Sequence, residues 1–541
     1  MVKDLYKIKK IIKNTVATNN SDLYKSHLYW SQKPYNICDI LIDYFSDKGD
    51  VVFDPFMGSG VTVIQSLKSN NLRRGIGVEI NDVPIFIVET LLKNHEISEV
   101  EKIVNEFNLF AISMRGKYST ICPQCEASGD ITKVIFDRDD YKSSPIIKEI
   151  YYKCKCGRRN LVKSPDHSDI GKIFFDYKPN NINNEKLIFN SRIAVSEGQR
   201  IMDIFTSRNF SVLDSLIGYV KETDTEDREI LNYIILSVLH LSKITDTHSN
   251  SQWPLWTPKK NCVEKNVIDL ILKRSKALIL SIRDVNNNLH KDRKKVSNYN
   301  EMRTGDYMII QKGIQHLSHT DIPDNSVDLV ITDPPYLGQV LYSEYMQLYK
   351  PFLKLKLNLE DEIVVSSSPE RNKKEEDYYR LLNLSFEKIS CKMKDYKYMC
   401  MYFHDSNLSV WNRLIKMMQK HGLRYISQVH IKKKNTLKNI ISPKKSLNGD
   451  AILFFIKEPL LEIGKVQLES IEEMERNIIK HAKYIIKSNG PTTTPELYDD
   501  GLMEFIIHNG WLEKLSNQYK SLVDIFEKYL IWDSELGKWK I

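Results

Sequence analysis

Residues 50–69 read DVVFDPFMGSGVTVIQSLKS: an apolar run, an acid and a proline, two glycines, then apolar residues at helical spacing. VVF is short, β-branched and unbroken, the form of a strand buried on both faces. Pro55 ends sheet pairing, while Gly58 and Gly60 let the backbone approach a bound molecule where a Cβ would intervene. Strand, glycine loop and helix in that order open a doubly wound parallel sheet. RRGIGVEIND (73–82) supplies its next strand, which ends in Glu79.

Glu79 stands 19 residues past Gly60, where an acid commonly takes the ribose hydroxyls of an adenosine-containing cofactor. The loop is not the full GxGxxG, and no GKS or GKT is present, which disfavours a nicotinamide cofactor and a nucleoside triphosphate site. The glycine pair alone fits a structural turn as well as a cofactor loop; Glu79 favours the cofactor.

Upstream, YNICDILIDYFSD (35–47) has helical spacing. Downstream, 105–190 breaks into short segments ending in a polar linker, YKPNNINNEKL (177–187), and 195–282 turns helical. DVNNNLHKDRKKVSNYN (284–300) is predicted to be an exposed or flexible connection. The α/β pattern resumes with NSVDLVITDPPY (325–336), then a strand in YKYMCMYFHD (396–405) and a helix in NLSVWNRLIKMMQKHG (407–422). LRYISQVHI (423–431) and DAILFFIKE (450–458) are expected as antiparallel neighbours at one edge, before a mostly helical tail broken at SNGPTTTPE.

With 541 residues, 27% charged and 42% hydrophobic, the chain should hold several folded domains. No apolar run approaches the roughly 20 residues of a membrane span, and MVKDLYKIKKIIKN lacks a signal-type apolar core, so a cytoplasmic protein without membrane attachment is expected. A net charge of +8 points only weakly to an anionic partner. Lys432, Lys433, Lys434, Lys438, Lys444 and Lys445 make a basic segment suited to phosphates, or simply a solvated loop. The aromatic-rich SQWPLW (251–256) is the one surface-like feature of the helical stretch.

In ITDPPYLGQ (331–339) a strand runs into two prolines, which end sheet pairing and helix at once and leave a rigid loop. At the carboxyl end of a parallel strand, Asp333 and Tyr336 would face a ligand crevice. Four of the eight cysteines, Cys122 and Cys125 in CPQC with Cys154 and Cys156 in CKCG, form two close pairs, the pattern of a four-cysteine zinc ribbon with a structural ion. The second pair is tighter than the usual CxxC, and degenerate cysteines are the alternative.

DPF…GSG, SQKPYNI (31–37) and DPPY together resemble the amino-group DNA methyltransferases that use S-adenosylmethionine. CPxC with CxCG, IFTSRNFSVLDSL (204–216) and YFHD followed by a tryptophan-bearing helix (402–411) are similar to the zinc-ribbon-containing adenine-specific DNA methylases. The likeness covers most of 27–457.

It implies a Rossmann-like S-adenosylmethionine-dependent methyltransferase fold of α/β class, split in sequence. The expected division is a cofactor-binding segment (1–104), a zinc-ribbon insertion (105–190), a helical insertion (191–300), a catalytic segment (301–460) and a mostly helical C-terminal module (461–541). Asp54, Phe56, Gly58, Ser59, Gly60 and Glu79 would bind the cofactor, with Gln32, Lys33 and Pro34 near its methionine end. Asp333, Pro334, Pro335 and Tyr336 would be the catalytic loop. The adenine N6 lone pair is delocalised, so the loop's task is to hold the amine and turn that pair toward the methyl. Asp333 and the Pro334 carbonyl would accept its N–H groups while Tyr336 stacks on the flipped base.

Adenine N6 is expected over cytosine N4 because Asp begins the loop; RNA methylation and a non-catalytic DNA-binding subunit are the alternatives. DNA is the expected partner, with proteins of a defence or restriction–modification system at family level. Two departures stand out. Val61 precedes Thr62 where two threonines are common, and the acid expected at the cofactor's adenine is open between Asp306 and Asp321. His404 is either a substrate contact or a structural histidine.

Overall fold

The computed structural model describes residues 3–30, 32–70, 72–156, 161–247, 254–337, 340–432, 450–459 and 469–541. Most of the basic segment (433–445), Gly157, residues 251–253 of SQWPLW, and Gly338 and Gln339 lie outside the described residues.

The central sheet has seven strands, β1 (Val51–Asp54), β2 (Arg74–Glu79), β3 (Tyr307–Gln311), β4 (Val327–Thr332), β5 (Met393–Phe403), β6 (Leu423–His430) and β7 (Ala451–Lys457). Across the sheet they run β6-β7-β5-β4-β1-β2-β3. β1 to β5 are parallel, and β7 lies antiparallel between β5 and β6, as expected for the 423–431 and 450–458 pair. The chain lays β2 and β3 on one side of β1, then returns to place β4 on the other. That reversal opens a crevice above the carboxyl ends of β1 and β4, the ordinary ligand position in such sheets.

Both strands are buried at every position because each face is covered. Alternation sends Val51 and Phe53 of β1 to a core shared with Trp411 and the C-terminal Ile478 and Trp539. Val52 joins Ile37, Leu41 and Phe45 of the helix Tyr35–Phe45 on the other face.

Outside the sheet, Ile97–Ser113 is one continuous helix, longer than the broken pattern expected from 105 onward. Val100, Val104, Phe107 and Ala111 bury a single stripe of it, a period hidden among the intervening acids and asparagines. Strands Ser128–Asp137 and Ile146–Cys154 pair antiparallel. Cys262–Lys265, from the helical stretch, pairs on the far side of Ser128–Asp137, so ribbon and helical block share a sheet. No described helix is long and apolar enough to cross a membrane.

The connection over 284–300 is mostly exposed, as expected, but it is pinned at three buried points. The helix Val267–Asn288 runs into it, Val285 and Leu289 are buried, and the Arg293 guanidinium donates to the Leu92 carbonyl at 2.8 Å. Polar composition suggested solvent, but the few apolar and guanidinium groups point inward and pin the segment.

Candidate functional site

The crevice is a cleft open to solvent. Its floor is the glycine loop. Gly60 has φ +76 and Gly58 φ +50, left-handed values that favour glycine, and a Cβ on Gly60 would overlap Val88. Asp54 is buried and accepts the Phe56 amide at 3.1 Å, which fixes the turn. Burial pushes its carboxyl up to about 7, against the Thr62 hydroxyl and that amide.

Glu79 closes one wall. Its carboxylate accepts Gly58 N–H at 3.0 Å on one oxygen, and Ile80 N–H at 2.8 Å and Asn81 N–H at 3.0 Å on the other. Three amides thus orient it into the cleft, although burial still raises it to about 7.

The opposite wall is the DPPY loop. Asp333 accepts the Tyr336 hydroxyl at 2.6 Å on Oδ1, and the Pro335 carbonyl accepts the Tyr378 hydroxyl at 2.7 Å, which anchors the loop to the helix Glu375–Lys392. Burial raises the Asp333 carboxyl, with Lys33 opposing.

Residues 32–34 divide between the two walls. Gln32 Nε2 reaches Ser59 Oγ at 3.3 Å, and Pro34 caps the helix Tyr35–Phe45. Lys33 turns away from the glycine loop: its Nζ lies 2.8 Å from Asp333 Oδ2 and 3.3 Å from Asp450 Oδ2.

Gln315 in the cleft and Asp450 beside Lys33 escaped the sequence reading. β7 runs antiparallel and Ala451 pairs with Phe403, so Asp450 arrives beside the carboxyl end of β5. Nothing in DAILFFIKE marks that. His404 of YFHD lies 3.9 Å from Asp450. Gln315, just past β3, packs its amide over Gly313, where a Cβ would collide, and donates Nε2 to the Asp361 carbonyl at 3.0 Å. Asp306 and Asp321 do not line the cleft. Asp306 accepts Lys294 and Arg303 amides, and Asp321 pairs with Lys312 at 2.7 Å.

Residues 2–88 match an N6/N4 methyltransferase family model described as DNA methylase. Over that segment the chain is similar to the N6/N4 DNA methylases. The matched segment holds the glycine loop, Glu79 and SQKP. The chain is also 24% identical over 338 residues to the type II methyltransferase M.MjaII of Methanocaldococcus jannaschii, a match covering 56% of this chain and 58% of the relative. It thus spans little more than half of that relative's length.

The ribbon cysteines gather. The sulfurs of Cys122, Cys125, Cys154 and Cys156 all lie within 4.8 Å of one another, with Cys125 and Cys154 at 3.3 Å. The Cys156 amide donates to Cys154 Sγ at 3.5 Å and the Tyr152 hydroxyl to Cys122 Sγ at 3.4 Å. Four soft donors around one point could hold a tetrahedral zinc ion with no position left for substrate.

Proposed function

We propose that the protein transfers a methyl group from S-adenosylmethionine to an exocyclic amine in DNA, adenine N6, on a base turned out of the duplex. The observation that carries this reading is the meeting of Asp333 and Pro335 of the DPPY loop with Gly58, Ser59 and Glu79 across one cleft at the sheet's reversal. Fit to a nucleoside ligand is supported by buried side-chain oxygens in the cleft that have no partner: Gln315 Oε1, Thr332 Oγ1 and the Tyr402 hydroxyl.

When bound, S-adenosylmethionine supplies an electrophilic methyl on a sulfonium whose departure leaves a neutral thioether. Glu79 receives the ribose hydroxyls, and Gln315 Oε1 accepts the adenine amine, the role the sequence left open between Asp306 and Asp321. Asp333 accepts an N–H of the target amine and turns its lone pair toward the methyl, so no strong base is needed before transfer. The Pro334 carbonyl accepts the second N–H, and the Tyr336 ring replaces stacking lost on flipping. The four-cysteine ribbon holds structural zinc, in the manner of the zinc-ribbon adenine methylases. A role in host defence or restriction–modification is consistent with the type II relative.

Modified-base sequencing of DNA from cells with and without the gene tests the reading. N6-methyladenine at a defined site that disappears with the gene is expected. N4-methylcytosine would reassign the base, and a mark only in RNA, or none, would remove the proposal.

Gln315→Ala should weaken S-adenosylhomocysteine binding by roughly tenfold, one lost hydrogen bond with a buried partner, in calorimetric titration. An unchanged affinity would exclude the adenine contact.

Cofactor affinity should also rise with pH. Glu79 ionises near pH 7 in the empty site, and ribose hydroxyls donate to the ionised form, so binding tightens as pH rises through 7. Stability of the empty protein carries the opposite sign. A folded value raised above the ordinary carboxylate range adds stability that is complete below about pH 4 and lost as pH rises through the folded value. Titrations with S-adenosylhomocysteine between about pH 5 and 8 measure this, and a flat affinity removes Glu79 from the ribose.

A further inference from the structure

Both oxygens of Asp333 are already engaged by the chain itself, Oδ1 by the Tyr336 hydroxyl at 2.6 Å and Oδ2 by the Lys33 ammonium at 2.8 Å. The same ammonium touches Asp450 at 3.3 Å and stands 5.5 Å and 5.2 Å from the ring centroids of Tyr336 and Tyr402. All three charged side chains are largely shielded, at 14%, 17% and 14% exposure for Lys33, Asp333 and Asp450. An ammonium against a carboxylate weakens that carboxylate as an acceptor for any other donor, and more so where water does not screen the pair. A catalytic acceptor held this way is neutralised.

We propose that Lys33 is a transferable counter-ion: it rests on Asp333 while the base pocket is empty and passes to Asp450 when the target amine arrives. The inference rests on the methyl-transfer reading of the site. Three features support it. Lys33 carries one charge between two carboxylates, so it is shared rather than owned. Its contact with Asp450 is the longer of the two, so a shift of a fraction of an ångström inverts the pairing without exposing the ammonium to solvent. The Tyr336 and Tyr402 rings lie within cation–π reach of the ammonium where it touches both carboxylates. Lys33 acts through Asp333 and is a positioning residue.

A static fastening of SQKP to the DPPY loop and β7 makes a different prediction, and substitutions separate the two. Removing the receiving seat traps Lys33 on Asp333, so Asp450→Asn should lower kcat by roughly 100-fold, the scale of a misplaced catalytic geometry, while leaving KM for DNA within about threefold. Lys33→Met frees Asp333 and should cost about tenfold or less. The double variant should match Lys33→Met, so deleting the lysine rescues the Asp450→Asn enzyme by roughly tenfold. S-adenosylhomocysteine affinity should stay within about threefold in all three.

A double variant as slow as Asp450→Asn, or slower, overturns the handover in favour of a fastening. Loss of cofactor affinity in Lys33→Met with kcat unchanged overturns it in favour of a cofactor contact, the role the sequence suggested for Lys33. Wild-type protein that methylates no nucleic acid overturns the underlying reading, whereas active wild type without rescue overturns the handover alone.

Discussion

Asp333→Ala should abolish methyl transfer, by at least ~10²–10³-fold, while S-adenosylhomocysteine still binds within about threefold of wild type. The size follows from what Asp333 would be asked to do. The acceptor that orients the amine acts only as the reaction proceeds, inside a cleft where polar contacts are stronger than in water. The cofactor contacts assigned to Glu79 and the glycine loop lie on the other wall, and the three amides that orient Glu79 do not involve the DPPY loop. Asp333→Asn keeps the shape and provides the control for folding, since Lys33 retains its contact with Asp450 in either variant. Single-turnover transfer of labelled methyl to DNA gives the rate, and a fully active Asp333→Ala enzyme would sink the catalytic assignment.

Replacing Cys122 and Cys125 together with serine should release about one zinc ion per chain, read by metal analysis of the purified protein. The loss should be felt beyond the ribbon. Binding of a structural zinc in small finger peptides is worth ~10–16 kcal/mol, and the free energy of such a site is folding free energy. Here the strand Ser128–Asp137 pairs with Ile146–Cys154 on one side and Cys262–Lys265 on the other. Loosening the cysteine end therefore weakens one edge of the helical block as well. A fall in melting temperature with the metal is expected, and wild-type protein containing no zinc would end the claim.

How far the fold was readable can be judged from β1, β4 and 284–300. VVF and VDLVIT declare themselves because a strand covered on both faces needs an unbroken apolar run, and Pro55 or Pro334 must stop it. Gly60 was equally legible, since its left-handed backbone favours glycine whatever surrounds it. The polar stretch 284–300 is largely exposed, as its composition implies, but composition counts side chains without directions and did not show its buried anchors. Arg293 reads as one more charge in the sequence, yet it is buried and serves as a clamp on the carbonyl of Leu92.

The candidate site residues and the cysteine cluster divide in the same way. Glu79, Asp333, Tyr336 and the four ribbon cysteines sit in short motifs whose chemistry is local, and they were named from those motifs. Gln315 followed no motif: its amide matters because Gly313 beneath it leaves room and Asp361 holds one end. Asp450 and the second face of Lys33 were beyond reach, because β7's reversed direction is set by pairing with β5 and β6 rather than by anything in its own residues.

From the amino-acid order alone come the strand–glycine–helix opening, the rigid DPPY loop and the metal-type cysteine spacing, each enforced by backbone sterics or ligand valence within a few residues. Tertiary structure alone brings Lys33, Asp333 and Asp450 within one ion-pair distance across hundreds of residues. The reason is physical: the cost of leaving a carboxylate unpaired in a shielded cleft depends on which charges the completed sheet delivers there, and no periodicity along the chain encodes that.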